Sequence, residues 1–324
     1  MKILFITSSR IGDAVLSTGL LNYIEQNYKD AKVTVACGPL VVSLFEGAPF
    51  IDEVIALKKE KHHKHWLKLW LKVVRKKWDM VIDLRDSAVS RAIMAGKRYI
   101  FSKQIDKSQH KVLQNASLLG LQEQPPAPKL WFSAVQKQKA VELMRPGKDG
   151  ALIVGIGPTA NWIGKTWPVD RFVEIMVYLT NVGGAFEHAR VAVFGAPGEE
   201  EGAYALYEKV PAERRIDMIA KGSPGDAAAA LSLCDFYIGN DSGLMHCAAA
   251  AGVPTFGLFG PSYPHIYAPY GLHCDYAQTP ESFDDLIAFE GYDPKTLDHS
   301  LMLSLNVESV KDSLDVFTAP LIRK

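Results

Sequence analysis

Short β-branched runs alternate with amphipathic stretches along nearly the whole chain. This is the pattern of parallel strands joined by helices that cover both faces of a sheet. A first series places strands near residues 2–7, 32–36, 53–56, 80–84 and 98–101, with helices over 13–26 and 62–77. A second places strands at 151–156, 190–194, 216–220, 235–239 and 255–259. Helix signals punctuate it: Pro168 fits a first helical position, Ser223-Pro224 precedes a helix over 225–233, and Gly252-Val253-Pro254 stops the helix beginning near Ser242. The expected fold is therefore α/β, with two doubly wound Rossmann-like lobes. The first covers 1–148 and the second 149–305, joined by a linker near 147–150 in Pro146-Gly147-Lys148-Asp149-Gly150. A last helix over about 306–324, opened by Asn306, carries Val307, Val310, Leu314 and Phe317 on one stripe able to dock on either lobe. Ligands of such sheets sit beyond the carboxyl ends of the strands, and with two lobes facing each other the site is expected in the cleft.

Composition narrows the class. The 324 residues are 48% hydrophobic and 22% charged, with 36 Lys and Arg balanced by 36 Asp and Glu. That suits two domains and argues against whole-surface attraction to nucleic acid. Cys37, Cys234, Cys247 and Cys274 lie far apart, without C-x-x-C or zinc spacing, and fit a reducing compartment. The apolar run at the N-terminus meets polar residues by Thr7, too soon for a signal-peptide core. No apolar stretch approaches the ~20 residues that span a bilayer. The expectation is a cytoplasmic protein whose membrane contact, if any, is peripheral.

Chemistry is concentrated in loops after predicted strands. Gly239-Asn240-Asp241-Ser242-Gly243 runs from a strand into a helix, where free backbone N–H groups favour an anion. A plain cap by Asp241 or Ser242 is the competing reading; His246, one turn on, is by default a packing histidine. Gly157-Pro158-Thr159-Ala160-Asn161-Trp162-Ile163-Gly164-Lys165-Thr166-Trp167 offers hydroxyls, an amide and a lysine for a diphosphate. Glu199 and Glu200 stand where a carboxylate could accept from ribose hydroxyls, or merely suit a helix dipole. In the first lobe, Arg10-Ile11-Gly12-Asp13 follows the leading strand. This is not G-x-G-x-x-G, so a dehydrogenase loses its main support. Asp13 could take a proton from an attacking hydroxyl, or simply sit in the first turn of a helix. No D-x-D occurs to hold a metal-bound diphosphate, and no cofactor is expected.

Residues 58–77 hold nine Lys or Arg against one Glu. Leu67, Trp70, Leu71, Val74 and Trp78 follow helical spacing and are expected to face the core, while Lys64, Lys68, Lys72 and Lys76 share another face. That face could meet an anionic glycolipid acceptor or a membrane surface, or be merely solvated. Lys61, Lys64, Lys68, Arg85 and Arg98, with Gly12, are the candidate acceptor contacts. No nucleic-acid module accompanies the charge.

Arg10-Ile11-Gly12-Asp13, then Gly164-Lys165-Thr166-Trp167-Pro168 with Phe172, then Asn240-Asp241-Ser242-Gly243-Leu244-Met245-His246 with Gly252-Val253-Pro254 and Phe259-Gly260-Pro261, occur in that order across almost the whole chain. Together they resemble the bacterial heptosyltransferases of glycosyltransferase family 9, two-lobed inverting enzymes of the GT-B type that build the lipopolysaccharide core. The resemblance implies Asp13 as general base and Lys165 as donor-phosphate contact. It implies Ser242 and Gly243, with neighbouring Leu244, as the phosphate-binding helix start. Thr159 and Asn161 would lie in the donor loop, Glu199 or Glu200 on the nucleotide, and Asp241 and His246 beside the donor sugar. It also implies metal-independent chemistry, ADP-heptose as donor, a lipopolysaccharide-core acceptor, and a C-terminal helix that crosses back onto the first lobe. The loop at 157–161 has fewer hydroxyls than typical members, and the run at 58–77 is unusually basic. The alternatives are another nucleotide sugar or acceptor, a non-catalytic nucleotide-sugar binding protein, and an epimerase or hydrolase.

Overall fold

The computed structural model describes residues 1–145 and 150–322. The linker expected near 147–150 lies largely outside the described residues. The chain divides into two units: residues 1–137 with 223–228, and residues 138–222 with 229–324. The division thus falls inside a helix that begins before the expected boundary at 148.

Unit 1 contains β1 (Lys2–Ile6), α1 (Ile11–Asn27), β2 (Lys32–Cys37), β3 (Ile51–Ala56), α2 (Lys64–Val73), β4 (Trp78–Asp83), β5 (Ala95–Ile100) and α3 (Lys111–Ser117). Helix α4 (Ala134–Met144) carries the division between the units. The five strands are all parallel in the order β3-β2-β1-β4-β5. The order reverses between β1 and β4, which is where doubly wound sheets bind ligands. Leu4, Ile6, Val81, Leu69, Val73 and Trp78 share one core cluster. Continuous burial from Ile3 to Ile6 of β1 reflects a central strand covered on both faces.

Helix α2 departs from its expected form. A tight turn at Lys61–His63, with His62 and His63 in the left-handed region (φ 55° and 57°), delays the α-helix to Lys64, and it ends at Val73. Its phase also differs. Leu69 and Val73 are buried and Trp66 and Trp70 pack partly beside them, an i, i+3, i+4, i+7 stripe. Leu67 and Leu71, expected in the core, are 57% and 60% exposed. The sequence carries two overlapping apolar stripes, and the one with two tryptophans and Leu69 buries more surface.

Unit 2 contains β6 (Ile153–Gly157), α5 (Val169–Thr180), β7 (Arg190–Gly195), α6 (Glu200–Tyr207), β8 (Arg215–Ile219), α7 (Pro224–Leu231, whose first residues group with unit 1), β9 (Phe236–Asn240), α8 (Gly243–Ala250), β10 (Thr255–Phe259), α9 (Pro264–Tyr267), β11 (Cys274–Gln278), α10 (Phe283–Leu286) and α11 (Val307–Ile322). Its six parallel strands run β11-β10-β9-β6-β7-β8, reversing between β6 and β9. Strand β11 escapes the sequence pattern because its polar, half-exposed Cys-Asp-Tyr-Ala-Gln sits at the sheet edge with only Ala277 buried. Pro168 stands one place earlier than expected, before the first helical residue of α5.

The C-terminal helix lies on unit 2, correcting the expectation that it docks on the first lobe. Val310 and Leu314 are fully buried in the unit 2 core, and Phe317 packs against Phe236 and Phe256. Tyr178 of α5 donates a hydrogen bond to Asp315 (2.5 Å). Asn306 caps α11, its Oδ1 accepting from Ser309 N (2.8 Å). All four cysteines are free thiols. Among the described residues no helix is long and apolar enough to cross a membrane.

Candidate active site

In unit 2 the loops beyond β6, β7 and β9 are joined by side chains. Asn240, fully buried at the end of β9, donates from Nδ2 to Pro158 O (2.8 Å) and accepts at Oδ1 from Trp167 N (3.1 Å). One side chain therefore fixes both ends of the 158–167 loop. Within that loop Trp167 is a core residue, its indole N–H donating to Leu305 O (2.8 Å) and its ring edge-on to Phe172. Its part is to anchor the loop. Trp162 covers Gly164 closely enough that a Cβ there would stand 2.7 Å from the indole ring.

Lys165, at the loop's far end, donates from Nζ to Asp241 Oδ2 (2.5 Å), with the lysine side chain 25% exposed and Asp241 8%. His246 Nε2 lies 4.0 Å from the other oxygen of that carboxylate. Ser242 is the residue before α8, and its side chain makes no capping bond; Asp241 is committed to Lys165. The capping explanation for these residues is therefore not realised. The N-terminus of α8 retains backbone donors, with a shielded hydroxyl, Ser242 Oγ, that forms no well-shaped hydrogen bond in the chain. Leu244 is in the first turn of α8, half-buried.

Beneath this helix start, Tyr237 occupies the reversal point between β6 and β9. A Cβ at Gly157 would come within 2.0 Å of its hydroxyl and one at Gly239 within 2.6 Å, so both strands need glycine there. Burial pushes the Tyr237 phenol well above its ordinary value and keeps it a neutral donor. Across the sheet, Thr159 Oγ1 donates to Glu199 Oε2 (2.7 Å), which also accepts from Ala196 N (3.4 Å). Glu200 accepts instead from Gly198 N (2.7 Å), bracing its own turn. Asn161 is exposed. The arrangement presents a helix N-terminus, a hydroxyl and an ammonium, the chemistry that holds a diphosphate.

In unit 1 a cavity of about 780 Å³ opens beyond the ends of β1, β2 and β4. Asp13, in the first turn of α1, lines it with Ser8 Oγ donating to its Oδ2 (3.4 Å). Gly12 precedes it in the same turn. Gly38 lets the 8–10 turn approach β2, since a Cβ there would lie 2.4 Å from Ser9 Cβ. Arg10, Lys58, Lys59, Arg85 and Lys111 line the cavity against the single carboxylate of Asp13. The site is strongly electropositive. Burial lowers the pKa of Lys111, and the neighbouring Asp13 works in the opposite direction. Lys111 also sits over the Phe101 ring (4.8 Å) and donates to Gln114 Oε1 (3.2 Å). Arg85 projects from a turn built by buried Asp83, whose oxygens accept from Arg85 N (2.8 Å) and from Ser87 N (2.8 Å) and Oγ (2.6 Å).

Four expected cations lie elsewhere. Lys61, Lys64 and Lys68 are exposed outside the cavity, and Lys68 pairs with Glu60 (2.5 Å). Arg98 is structural: its guanidinium donates to the carbonyls of Ser90 (3.0 Å), Ala95 (3.1 Å) and Ile93 (2.6 Å). Lys58, Lys59, Lys111, His63, His65 and Trp66 take their places. Lys58 and Lys59 belong to the basic run already singled out. Lys111 carried no local signal, because it reaches the cavity through a helix almost a hundred residues after Asp13.

A model of glycosyltransferase family 9 (heptosyltransferase) matches residues 96–277, more than half of the chain. The chain belongs to this family. Among relatives, lipooligosaccharide heptosyltransferase 2 of Haemophilus influenzae is 26% identical over 305 residues, covering 83% of this chain and 86% of the relative. Lipopolysaccharide heptosyltransferase 1 of Escherichia coli is 23% identical over 307 residues, 84% and 91% of the two chains. The glycosyl transferase family 9 structure from Veillonella parvula superposes with a TM-score of 0.78 at 21% identity, over 98% of this chain and 97% of its own. The E. coli ADP-heptose lipopolysaccharide heptosyltransferase II structure gives 0.72 at 21%, over 98% of each. The protein is thus a family 9 glycosyltransferase of the GT-B architecture with two parallel sheets, as its motifs implied. The matched segment includes Lys165, Asp241 and Ser242 and leaves Asp13 outside.

Proposed function

We propose that this family 9 enzyme transfers a heptose from ADP-heptose to the inner core of a lipopolysaccharide-type glycolipid, with inversion at the anomeric carbon. The observation that carries the reading is the Ser242–Gly243 helix start with Lys165 held beside it by Asp241, rather than a simple capped helix. The names of the relatives support the donor and acceptor class.

Unit 2 holds the nucleoside diphosphate: its oxygens accept from the first N–H groups of α8, from Ser242 Oγ and from Lys165, while Glu199, which also accepts from Thr159, accepts from ribose hydroxyls. Unit 1 receives the acceptor, whose anionic groups suit Arg10, Lys58, Lys59, Arg85 and Lys111. Asp13 takes the hydroxyl proton as the acceptor oxygen bonds to the anomeric carbon. The bond from that carbon to the diphosphate breaks, and the ADP leaves with the electron pair. Its growing charge is stabilised by donors already in position. A glycolipid acceptor sets the reaction at the inner face of the inner membrane.

The test is transfer from ADP-heptose to an inner-core acceptor, read by mass spectrometry. Wild type forms the heptosylated product, and Asp13→Ala slows turnover by about 10²–10⁴-fold with donor binding by calorimetry unchanged. Near-normal turnover in Asp13→Ala removes the base assignment. Donor binding without product on any acceptor identifies a binding protein, and donor consumption without acceptor a hydrolase or epimerase.

A further inference from the structure

We propose that the outward face of α2 is a membrane-docking surface for an anionic phospholipid bilayer, and that Leu67 and Leu71 insert into it. The inference rests on the reading that unit 1 receives a glycolipid. Helix α2 has three faces. Leu69 and Val73 enter the core, and His65 and Trp66 line the cavity. The remaining face carries Lys64, Leu67, Lys68, Leu71 and Lys72 at helical spacing, with exposed Arg75 in the turn that follows the helix and both leucines more than half exposed.

Two neighbouring leucines in water forfeit the hydrophobic gain that the overlapping Trp66–Leu69–Trp70–Val73 stripe collects. The charge around them is of one sign. Lys68 is matched by Glu60, and Lys76, further on, by Glu53. Among the described residues Lys72 and Arg75 have no carboxylate partner, and Lys64 makes no ion pair of its own, although its charge acts on nearby Glu60. Apolar residues flanked by unmatched lysines suit the boundary between acyl chains and anionic headgroups, where leucines enter the apolar layer and ammonium groups stay at phosphate level. A second copy of this chain would bring the same cations against each other and is disfavoured on that ground. Because the same helix lines the cavity, docking it sets the cavity beside the layer in which a glycolipid's acyl chains are anchored. The sugar end then reaches Asp13 without the lipid leaving the bilayer.

The full chain is sedimented with phosphatidylcholine vesicles, with or without phosphatidylglycerol, at low and high salt. Wild type, Leu67→Gln/Leu71→Gln and Lys72→Gln/Arg75→Gln are compared, with thermal melts to show that these exposed changes leave the fold intact. Transfer to a lipid-free acceptor saccharide is measured in parallel. Wild type is expected on anionic vesicles in preference to neutral ones. Removing the two cations weakens binding about fivefold per charge at low salt. The leucine variant loses at least roughly tenfold, including the salt-resistant part, and slows on vesicle-embedded acceptor while keeping wild-type rates on the soluble one. Wild-type vesicle binding by the leucine variant overturns the proposal. So does a wild-type dimer in light scattering that the leucine changes dissolve. If wild type transfers nothing to the soluble acceptor, the proposed function fails, whereas the vesicle arm still decides the docking face.

Discussion

In unit 2 the loops beyond β6, β7 and β9 are bonded to one another: Asn240 to Pro158 and Trp167, Lys165 to Asp241, Thr159 to Glu199. In unit 1 the corresponding loops set five cations and one carboxylate around a cavity of about 780 Å³ with few bonds between them. Both units offer the reversal point of a parallel sheet, but one arrives pre-assembled and the other stays open. The difference matches the two ligands of the proposed reaction. A nucleoside diphosphate presents fixed geometry that donors can be set for in advance, whereas a large anionic glycolipid is met by field and by shape. Single changes in unit 2 should therefore have sharp effects, and those in unit 1 graded ones.

Three measurements sharpen or break this contrast. The largest effect is expected from Lys165→Ala, which removes a placed cation from the leaving group and leaves Asp241 buried without its partner. Turnover should fall by about 10²–10³-fold, and calorimetry should show weaker ADP binding. A change confined to acceptor KM would put Lys165 on the wrong ligand. Next is Asn240→Ala, which strands the buried Trp167 N–H and Pro158 carbonyl. Chemical denaturation should show unit 2 losing about 2–4 kcal/mol while the transition of unit 1 stays in place. A shift of both together would mean that the units unfold as one. The smallest is Lys111→Met. A lysine whose folded pKa is depressed by burial penalises the fold fully below that depressed value, and the penalty fades as pH rises from there to the ordinary lysine value, above which it is gone. Removing it should raise the melting temperature at neutral pH by about 1–2 °C and lose that advantage in strong alkali, while affinity for the anionic acceptor drops. A lower melting temperature would show that the contacts with Asp13, Phe101 and Gln114 outweigh the burial cost.

Much of this was legible in the chain itself. The β-branched runs place every strand but β11 to within about three residues; the central strands are plainest because they are apolar on both faces, whereas β3 and β5, largely exposed at the sheet edges, are read from shorter apolar segments. The helix start at Ser242 and the Lys165 loop are local motifs, readable as such. What escaped was whatever depends on partners distant in sequence. Arg98 looks like any loop cation until three carbonyls surround it, and Lys111 acquires meaning only where α3 meets the α1 turn. The phase of α2 was misread because Leu67–Leu71 and Leu69–Val73 are equally good apolar stripes, and only the tryptophans' packing decides between them. The 158–167 loop's dependence on Asn240 had no signal, since a buried asparagine is recognisable only by what it bonds.

The triad of Gly157, Tyr237 and Gly239 has a practical consequence for redesign of the donor half. No side chain can be added at either glycine without driving into a fully buried phenol ring, so the floor of that site is closed to specificity engineering. Room for altered sugar or base preference lies instead along the rim, at exposed Asn161 and at Thr159 with Glu199. A library aimed at the floor would mostly return unfolded proteins, and one aimed at the rim would sample ligands.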